Sequence, residues 1–458
     1  MVVEDPAFSG IGVGRLSAFN TLGGITGSLT VGFVVLPAFG QQSTLLFTTG
    51  LSLMGGFAAW ILLDRTLSPA VRWSTVAVSI IIWFTMPLVI GTRLPVDFLI
   101  NGKTDNILIA YREGLSSNLA VIQKPNGVKV LEINRLWQGQ DRKNHQIMPA
   151  HVSMLLRSDP HSVLLVGLGA GQTASRFLMY NIDRLDCVDI EPAVFDVVRA
   201  HFESDWMEDR RVRLFREDGR NYLAHSRELY DVISIEVGQI IRPGVPFFYT
   251  SEFYERASER LKPGGFMSQF VPIPYFTVEQ FRSVVATFLN TFPQSFLWYN
   301  REEMLLVGVK THELKIKGER LVLLEEDPTG DNEVRHDLRI TLVGDSQYSM
   351  YKLPVFLGSF IAGPDGLAKL STGASIYLDD RPVLDYAVSK VSKEDTNEIP
   401  IVQLLRQHLN PVEQIIGLSL DSAERAKIEE VREMNLRQLV AHAIYRRSGV
   451  LARGKGHP

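Results

Sequence analysis

Cysteine is nearly absent: Cys187 is the one cysteine in 458 residues, so no internal disulfide can form, which is compatible with a reducing compartment. Ten histidines are scattered without a paired Cys or His spacing, so no metal site is expected. Neither sign of charge dominates, with a net charge of -4 and 21% charged residues, and no basic balance points to nucleic acid. Charge is also missing locally. Between Arg15 and Asp64 no ionisable residue occurs. At this length two or three units are expected.

The uncharged stretch is broken only around Pro37, Gly40, Gln41 and Gln42 and reads as two spans, Leu16 to Phe39 and Ser43 to Leu63. Each reaches the roughly 20 residues that carry a helix across the hydrocarbon core. Trp73 to Ile90, flanked by Arg72 and Arg93, makes a third. Residues 1–95 are therefore expected to form a membrane segment of three transmembrane helices in contact with lipid. Gly23, Gly24, Gly27, Ser28 and Gly32 in the first span predict close helix packing. A cleaved signal peptide fits poorly, because Glu4 and Asp5 stand where a basic start belongs. Three spans place the two ends on opposite sides, and the distribution of Arg and Lys does not choose between orientations.

From Ser162 strands alternate with helices: VLLVGLGAG, LDCVDIEP, VRLFREDG and YDVISIEVG, then the helical EFYERASERLKPGG and the strand FMSQFV. That order implies an α/β fold with a parallel sheet and crossover helices. Ligands in such sheets bind beyond the carboxyl ends of the strands. Gly167, Gly169 and Gly171 after the first strand let the backbone turn tightly against a ligand before a helix near Thr173. A dinucleotide-binding dehydrogenase shows much the same loop. Asp189 closes the second strand roughly 20 residues later, suited to accept from ribose hydroxyls. Asp218 and Gly219 follow the third strand, where the carboxylate can accept from an adenine amino group. These residues predict an adenosyl cofactor of the S-adenosylmethionine type.

With those motifs in hand, the chain resembles the spermidine synthase (polyamine aminopropyltransferase) family, and in particular its membrane-fused bacterial members. The likeness runs from about Tyr111 to Tyr386. It is carried by YREG at Tyr111, LEINRLWQ at Leu131, HQIMPAH at His145, the strand ends above, YDVISIEVGQ at Tyr230, YTSEFYERASERLKPGG at Tyr249 and DDRPVLDY at Asp379. NTLGGITGSLTVGF at Asn20 is similar to the last membrane portion of the fusions. The resemblance implies a small β region over 104–140 that helps form an acceptor pocket. It implies a Rossmann-like, methyltransferase-type cofactor domain over 141–390, and a helical tail is read over 399–458. Asp421 or Ser422 caps the tail's second helix, whose Ile428, Val431, Leu436, Leu439 and Ile444 form a stripe expected to pack against a partner or a second subunit. The chain is expected in the cell inner membrane as a multi-pass protein, and the adenosyl cofactor places its catalytic domain in the cytoplasm, an orientation that puts Arg65 and Arg72 outside.

The chemistry implied is attack by a small-molecule amine on a carbon beside the sulfonium of decarboxylated S-adenosylmethionine, with release of methylthioadenosine and no metal. Glu236 stands where the family has its proton acceptor, although a carboxylate there can also be a cofactor or arginine partner. Gln146 matches a cofactor-binding Gln, and His145 and Gln239 fall at substrate-binding positions. Three positions depart from the family pattern. Ala170 replaces the Asp that pairs with the donor amine, Gln239 an acidic residue and His145 a Tyr. With Arg242 nearby, these changes make the pocket less attractive to a polycation. Methyl or carboxyaminopropyl transfer from intact S-adenosylmethionine, or binding without turnover, stays open. Asp379 and Asp380 beside Arg381 are read as an ion-paired turn.

Overall fold

The computed structural model describes residues 9–63, 68–90, 99–100, 105–114, 117–141, 146–157, 159–300, 303–311, 332–341, 348–387 and 398–454, with a few single positions between 311 and 331. Two compact units emerge: Met1–Gly127 with Glu132–Trp137, and Val128–Leu131 with Gln138–Pro458.

In the first unit, helix α1 (Ser9–Thr30) runs through a π turn at Val31–Val35 into α2 (Leu36–Leu63), and α3 (Pro69–Ile90) follows. Pro37 stands just after the π turn inside this continuous helical run, where its missing N–H removes a rung of the helical ladder. The backbone leaves helical geometry at Gly40, with φ 78° and ψ 174°, a conformation essentially reserved for glycine. Trp83 of α3 lies against Gly50 of α2 and donates its indole N–H to the Leu46 carbonyl at 2.9 Å. Large apolar side chains point outward along these helices, Phe19 being 73% and Phe33 77% exposed. The run Gly12–Trp60 is long and apolar enough to cross a membrane by length and composition, and Pro69–Thr85 is a shorter apolar helix. Strands β1 (Ile107–Glu113) and β2 (Asn118–Gln123) then form an antiparallel hairpin with a register shift between Leu108 and Ala110.

Strands β3 (Lys129–Ile133) and β4 (Leu136–Gln140) have residues in both units, and α4 (Met148–Leu156) comes next. The second unit is then built on one large sheet. Its β/α succession is β5 (Ser162–Val166), α5 (Gln172–Phe177), β6 (Arg184–Asp189), α6 (Pro192–His201), β7 (Val212–Arg216), α7 (Gly219–His225), β8 (Tyr230–Ile235), α8 (Ser251–Glu259) and β9 (Leu261–Phe270). Strands β5 to β9 are mutually parallel where they pair. After α9 (Val278–Thr291) come β10 (Ser295–Asn300) and β11 (Glu303–Val309), an antiparallel pair of which β11 joins β9.

Helices α10 (Glu333–Ile340) and α11 (Leu353–Leu357), the short strand β12 (Phe360–Ala362), and α12 (Pro364–Leu370), α13 (Glu398–Gln407) and α14 (Ser422–Gly454) follow, with a short helical turn at Val383–Ala387 between α12 and α13. The strand order is β12-β10-β11-β9-β8-β5-β6-β7. From β5 the chain winds outward to β7, then returns to β8 on the other side, so the switch point lies between β5 and β8. This is the Rossmann-like arrangement expected, and it puts the ligand crevice at the carboxyl ends of these strands.

Burial explains why the strands read as unbroken apolar runs. Val163, Leu164, Leu165 and Val166 are all 0–3% exposed, as both faces are covered by helices. Strands β10 and β11 are buried along their whole length and show no alternation, so they escaped the sequence reading. Most of the α14 stripe is likewise buried, with Ile428, Val431 and Leu436 at 0–1% exposure, and α14 packs with α11 and α13 of its own unit, whereas Ile444 is exposed.

Candidate functional site

The loop after β5 is shaped by its neighbours. Gly167, Gly169 and Gly171 have φ of 91°, 52° and 80°, so each adopts a left-handed conformation that side chains resist. A Cβ on Gly171 would meet the Trp206 ring at 2.9 Å, and one on Gly169 would sit 3.1 Å from the Gln138 carbonyl oxygen. The loop is therefore walled closely on two sides. Ala170 is buried at 3% exposure.

Asp189 at the end of β6 ties this loop down. Its Oδ2 accepts from the Leu168 N–H and its Oδ1 from the Glu191 N–H, both at 2.9 Å. Burial pushes its carboxyl above the usual range, against the pull of these two amides; the Arg242 charge also favours the ionised form. Glu191, 2% exposed, in turn caps α6 by accepting from the Ala193 N–H. The sequence placed Asp189 at the ribose but held no sign that it also organises the glycine loop.

Asp218 follows β7, and its Oδ1 caps α7 by accepting from Arg220 and Asn221 N–H at 2.9 and 3.0 Å. Gly219 packs where a Cβ would collide with Val166 of β5, so this residue keeps α7 close to the central strand. Arg220 binds Asp379 at 2.6 Å, and the other oxygen of Asp379 accepts from the Thr250 hydroxyl at 2.7 Å. Asp379 thus braces α7 through Arg220. The expected ion-paired turn with Arg381 is replaced by a long-range pair, which no local spacing reveals.

Glu236 stands just past β8, next to the glycine loop: a Cβ on Gly167 would lie 3.3 Å from its carbonyl carbon. The Ser234 hydroxyl donates to its Oε1 at 2.8 Å. Burial pushes its carboxyl up to about 7, although the serine hydrogen bond favours the ionised form. A carboxylate in that range exchanges protons near neutrality, the property a general base needs. Tyr249 is fully buried and donates to the Phe270 carbonyl at 2.9 Å; its phenol is raised first by burial and then by the Glu236 charge.

Gln146 donates to the Gln138 carbonyl at 3.5 Å, while its own carbonyl accepts from the Thr173 hydroxyl at 2.9 Å. This joins it to the start of α5. Its side-chain oxygen is buried without a hydrogen-bond partner, leaving an acceptor for a ligand donor. Gln239 is half-buried, and its carbonyl accepts from the Arg242 N–H at 2.9 Å. His145 lies outside the described residues. Among those described, no group of three or more His, Cys, Asp or Glu is arranged to hold a metal ion.

Behind the loop, Arg176 of α5 pairs with Asp337 of α10 at 3.0 Å, and the Asp337 carboxylate accepts at 2.8 Å from Nε2 of the buried His151 of α4. Burial holds the His151 imidazole below its ordinary value. Three helices are fastened here behind the glycine loop. The sequence showed none of these partners, since the residues are separated by up to 186 positions.

Comparison with known proteins bears on the same region. Residues 143–299 match the model of the spermine/spermidine synthase domain. Polyamine aminopropyltransferase 2 of Pseudomonas aeruginosa is 34% identical over 155 residues, covering 32% of this chain and 44% of that protein. Polyamine aminopropyltransferase of Nitrosomonas europaea is 25% identical over 192 residues, covering 40% of this chain and 58% of that one. The chain thus spans about half the length of these curated relatives. A probable spermidine synthase from Corynebacterium glutamicum, of known crystal structure, is 16% identical with a TM-score of 0.44, covering 60% of this chain and 97% of that one. Residues 143–299, the stretch that carries the glycine loop, Asp189, Asp218 and Glu236, are thus similar to the spermine/spermidine synthase domain.

Proposed function

We propose that the protein is an aminopropyltransferase that uses decarboxylated S-adenosylmethionine and a small amine. The observation that carries this reading is the place of Glu236, a half-buried carboxylate at the β8 tip against Gly167 of the glycine loop, held by the Ser234 hydroxyl, with its carboxyl pushed up to about 7 by desolvation. Asp189, Asp218, Gln146 and the loop glycines Gly167, Gly169, Gly171 and Gly219 hold the adenosyl group. Gln239 and His145 belong to the acceptor side.

The acceptor amine gives a proton to Glu236 and attacks the carbon next to sulfur. A C–N bond forms as the C–S bond breaks, and sulfur keeps the electron pair, leaving the neutral thioether methylthioadenosine. The donor's positive charge is lost in this step, so a low-polarity site that strengthens charge interactions favours it. No metal takes part.

In this reading residues 1–95 anchor the chain in the cell inner membrane as a multi-pass segment against lipid, with the synthase domain over 141–390 in the cytoplasm. The 104–140 stretch forms a small β region and 399–458 a helical tail. Nucleic acid has no role, and self-association is compatible with this organisation. The test is a mass-spectrometric inventory of products from the purified, detergent-solubilised chain given decarboxylated or intact donor with mixed amines. Methylthioadenosine with an aminopropylated amine is the expected result. S-adenosylhomocysteine formed from the intact donor would overturn it.

A further inference from the structure

Within the first unit, the break in α2 meets the strand hairpin. The Glu113 carboxylate of β1 accepts from the Gln41 N–H, and a Cβ on Gly40 would run into that carboxylate. The Asn118 side chain of β2 donates to the Gln41 side-chain oxygen at 2.9 Å. Asn118 is itself fixed, because its backbone exchanges hydrogen bonds with Asn134 at 2.8 Å in each direction. The Tyr111 phenol, pushed up to about 12 first by burial and then by Glu113, donates to Glu113 at 3.4 Å. Polar groups therefore gather where Gly40 interrupts the helix and frees a backbone N–H.

The length of the run makes this gathering informative. Its 49 residues would extend about 74 Å as a straight helix, more than twice the roughly 30 Å of a bilayer core. Unsatisfied backbone is not tolerated against lipid. Gly40 is thus the point where the run leaves the core, and α1 and the rest of α2 are separate crossings. The pairing of α2 with α3 agrees. Trp83 meets Leu46 and Gly50, so the Gln41 end of α2 and the Ile90 end of α3 lie at the same end of an antiparallel pair. The hairpin follows α3 in the chain.

We propose that Glu113 and Asn118 latch the Gly40–Gln41 break at the membrane surface on the hairpin side, so that α1 crosses with the chain's start on the opposite side. The inference rests on the membrane residence proposed above. It gives the bilayer three crossings and a fixed depth, and it supplies the orientation that charge bias leaves open.

The test uses impermeant maleimide on vesicles of both orientations. Cys187 is the parent's one cysteine and is fully buried, so the parent is a silent background. In the full chain, Ser43→Cys and Pro125→Cys are expected to label from one face, and Gly10→Cys and Ser68→Cys from the other. Adding Glu113→Ala to Ser43→Cys is expected to raise its labelling rate about tenfold, as one charge-assisted hydrogen bond is lost. Labelling of positions 43 and 125 from opposite faces, or a rate at position 43 indifferent to Glu113, overturns the latch. Release of the parent chain by alkaline carbonate overturns membrane residence itself, which separates the two failures.

Discussion

The helices of the first unit and the strands of the second are equally apolar, yet they present that character in opposite directions. Leu22 of α1 is 59% exposed and Leu164 of β5 is 0% exposed. In the strands, two helical layers cover the apolar residues, and polar groups collect at the carboxyl tips, where Asp189, Asp218 and Glu236 stand, or are paired internally, as Asp186 is with Arg213 and Tyr230 and Asp231 with Ser162 and Lys262. In the helices the apolar residues face outward and the polar groups collect at one break, Gly40. Hydrophobicity alone therefore does not say what covers a segment; the places where polar groups interrupt it do.

The sharpest way to break this contrast is the same substitution in both units. Leu164→Asp places an unpaired carboxylate between the sheet's helical layers and is expected to unfold the second unit, a loss above about 4 kcal/mol. Leu22→Asp should leave that unit's thermal unfolding in detergent unchanged while weakening membrane insertion by about 3 kcal/mol. Equal effects of the two on unfolding would erase the distinction.

Removing a tip carboxylate comes next. Asp189→Ala frees two loop amides and is expected to weaken methylthioadenosine binding about 100-fold by calorimetry. An unchanged affinity would assign Asp189 to structure alone.

The pH dependence is smaller. Glu236 has its folded pKa raised to about 7 from the ordinary 4.5. Its protonated form favours the folded state, so this contribution is full below about 4.5 and lost as pH rises through 7. Catalysis runs the other way, because the base must be ionised. kcat/KM is expected to rise with a midpoint near 7 and level above it, and a flat profile from pH 5 to 9 would exclude Glu236 as the base.

The smallest effect concerns the acceptor. Gln239→Glu restores a negative charge near Arg242 and is expected to lower KM for a diamine severalfold without changing kcat.

Much of this was legible in the residues. The β/α alternation from Ser162 to Val271, the three loop glycines and the carboxylates closing β6, β7 and β8 fall at the tips of a sheet with its switch point at β5 and β8. Tertiary use of the same side chains was not legible. Asp189 binding the Leu168 amide, Asp379 reaching Arg220 and Trp206 walling Gly171 depend on partners far along the chain; Asp218 capping α7 is local, through Arg220 and Asn221, but is a second use of a side chain read only as a ligand contact. The pair β10 and β11 was missed because complete burial removes alternation. The break at Gly40 was visible as a polar interruption, but its Glu113 partner, 72 residues away, was not.

The direct measurement is a single-turnover experiment on the parent and Glu236→Gln side by side at pH 8, following methylthioadenosine from bound decarboxylated donor with an amine present. Formation by the parent, with a loss of about 1,000-fold in the variant at similar donor affinity, is expected for a general base. Equal rates in the two proteins, or donor bound by both and turned over by neither, would contradict the account.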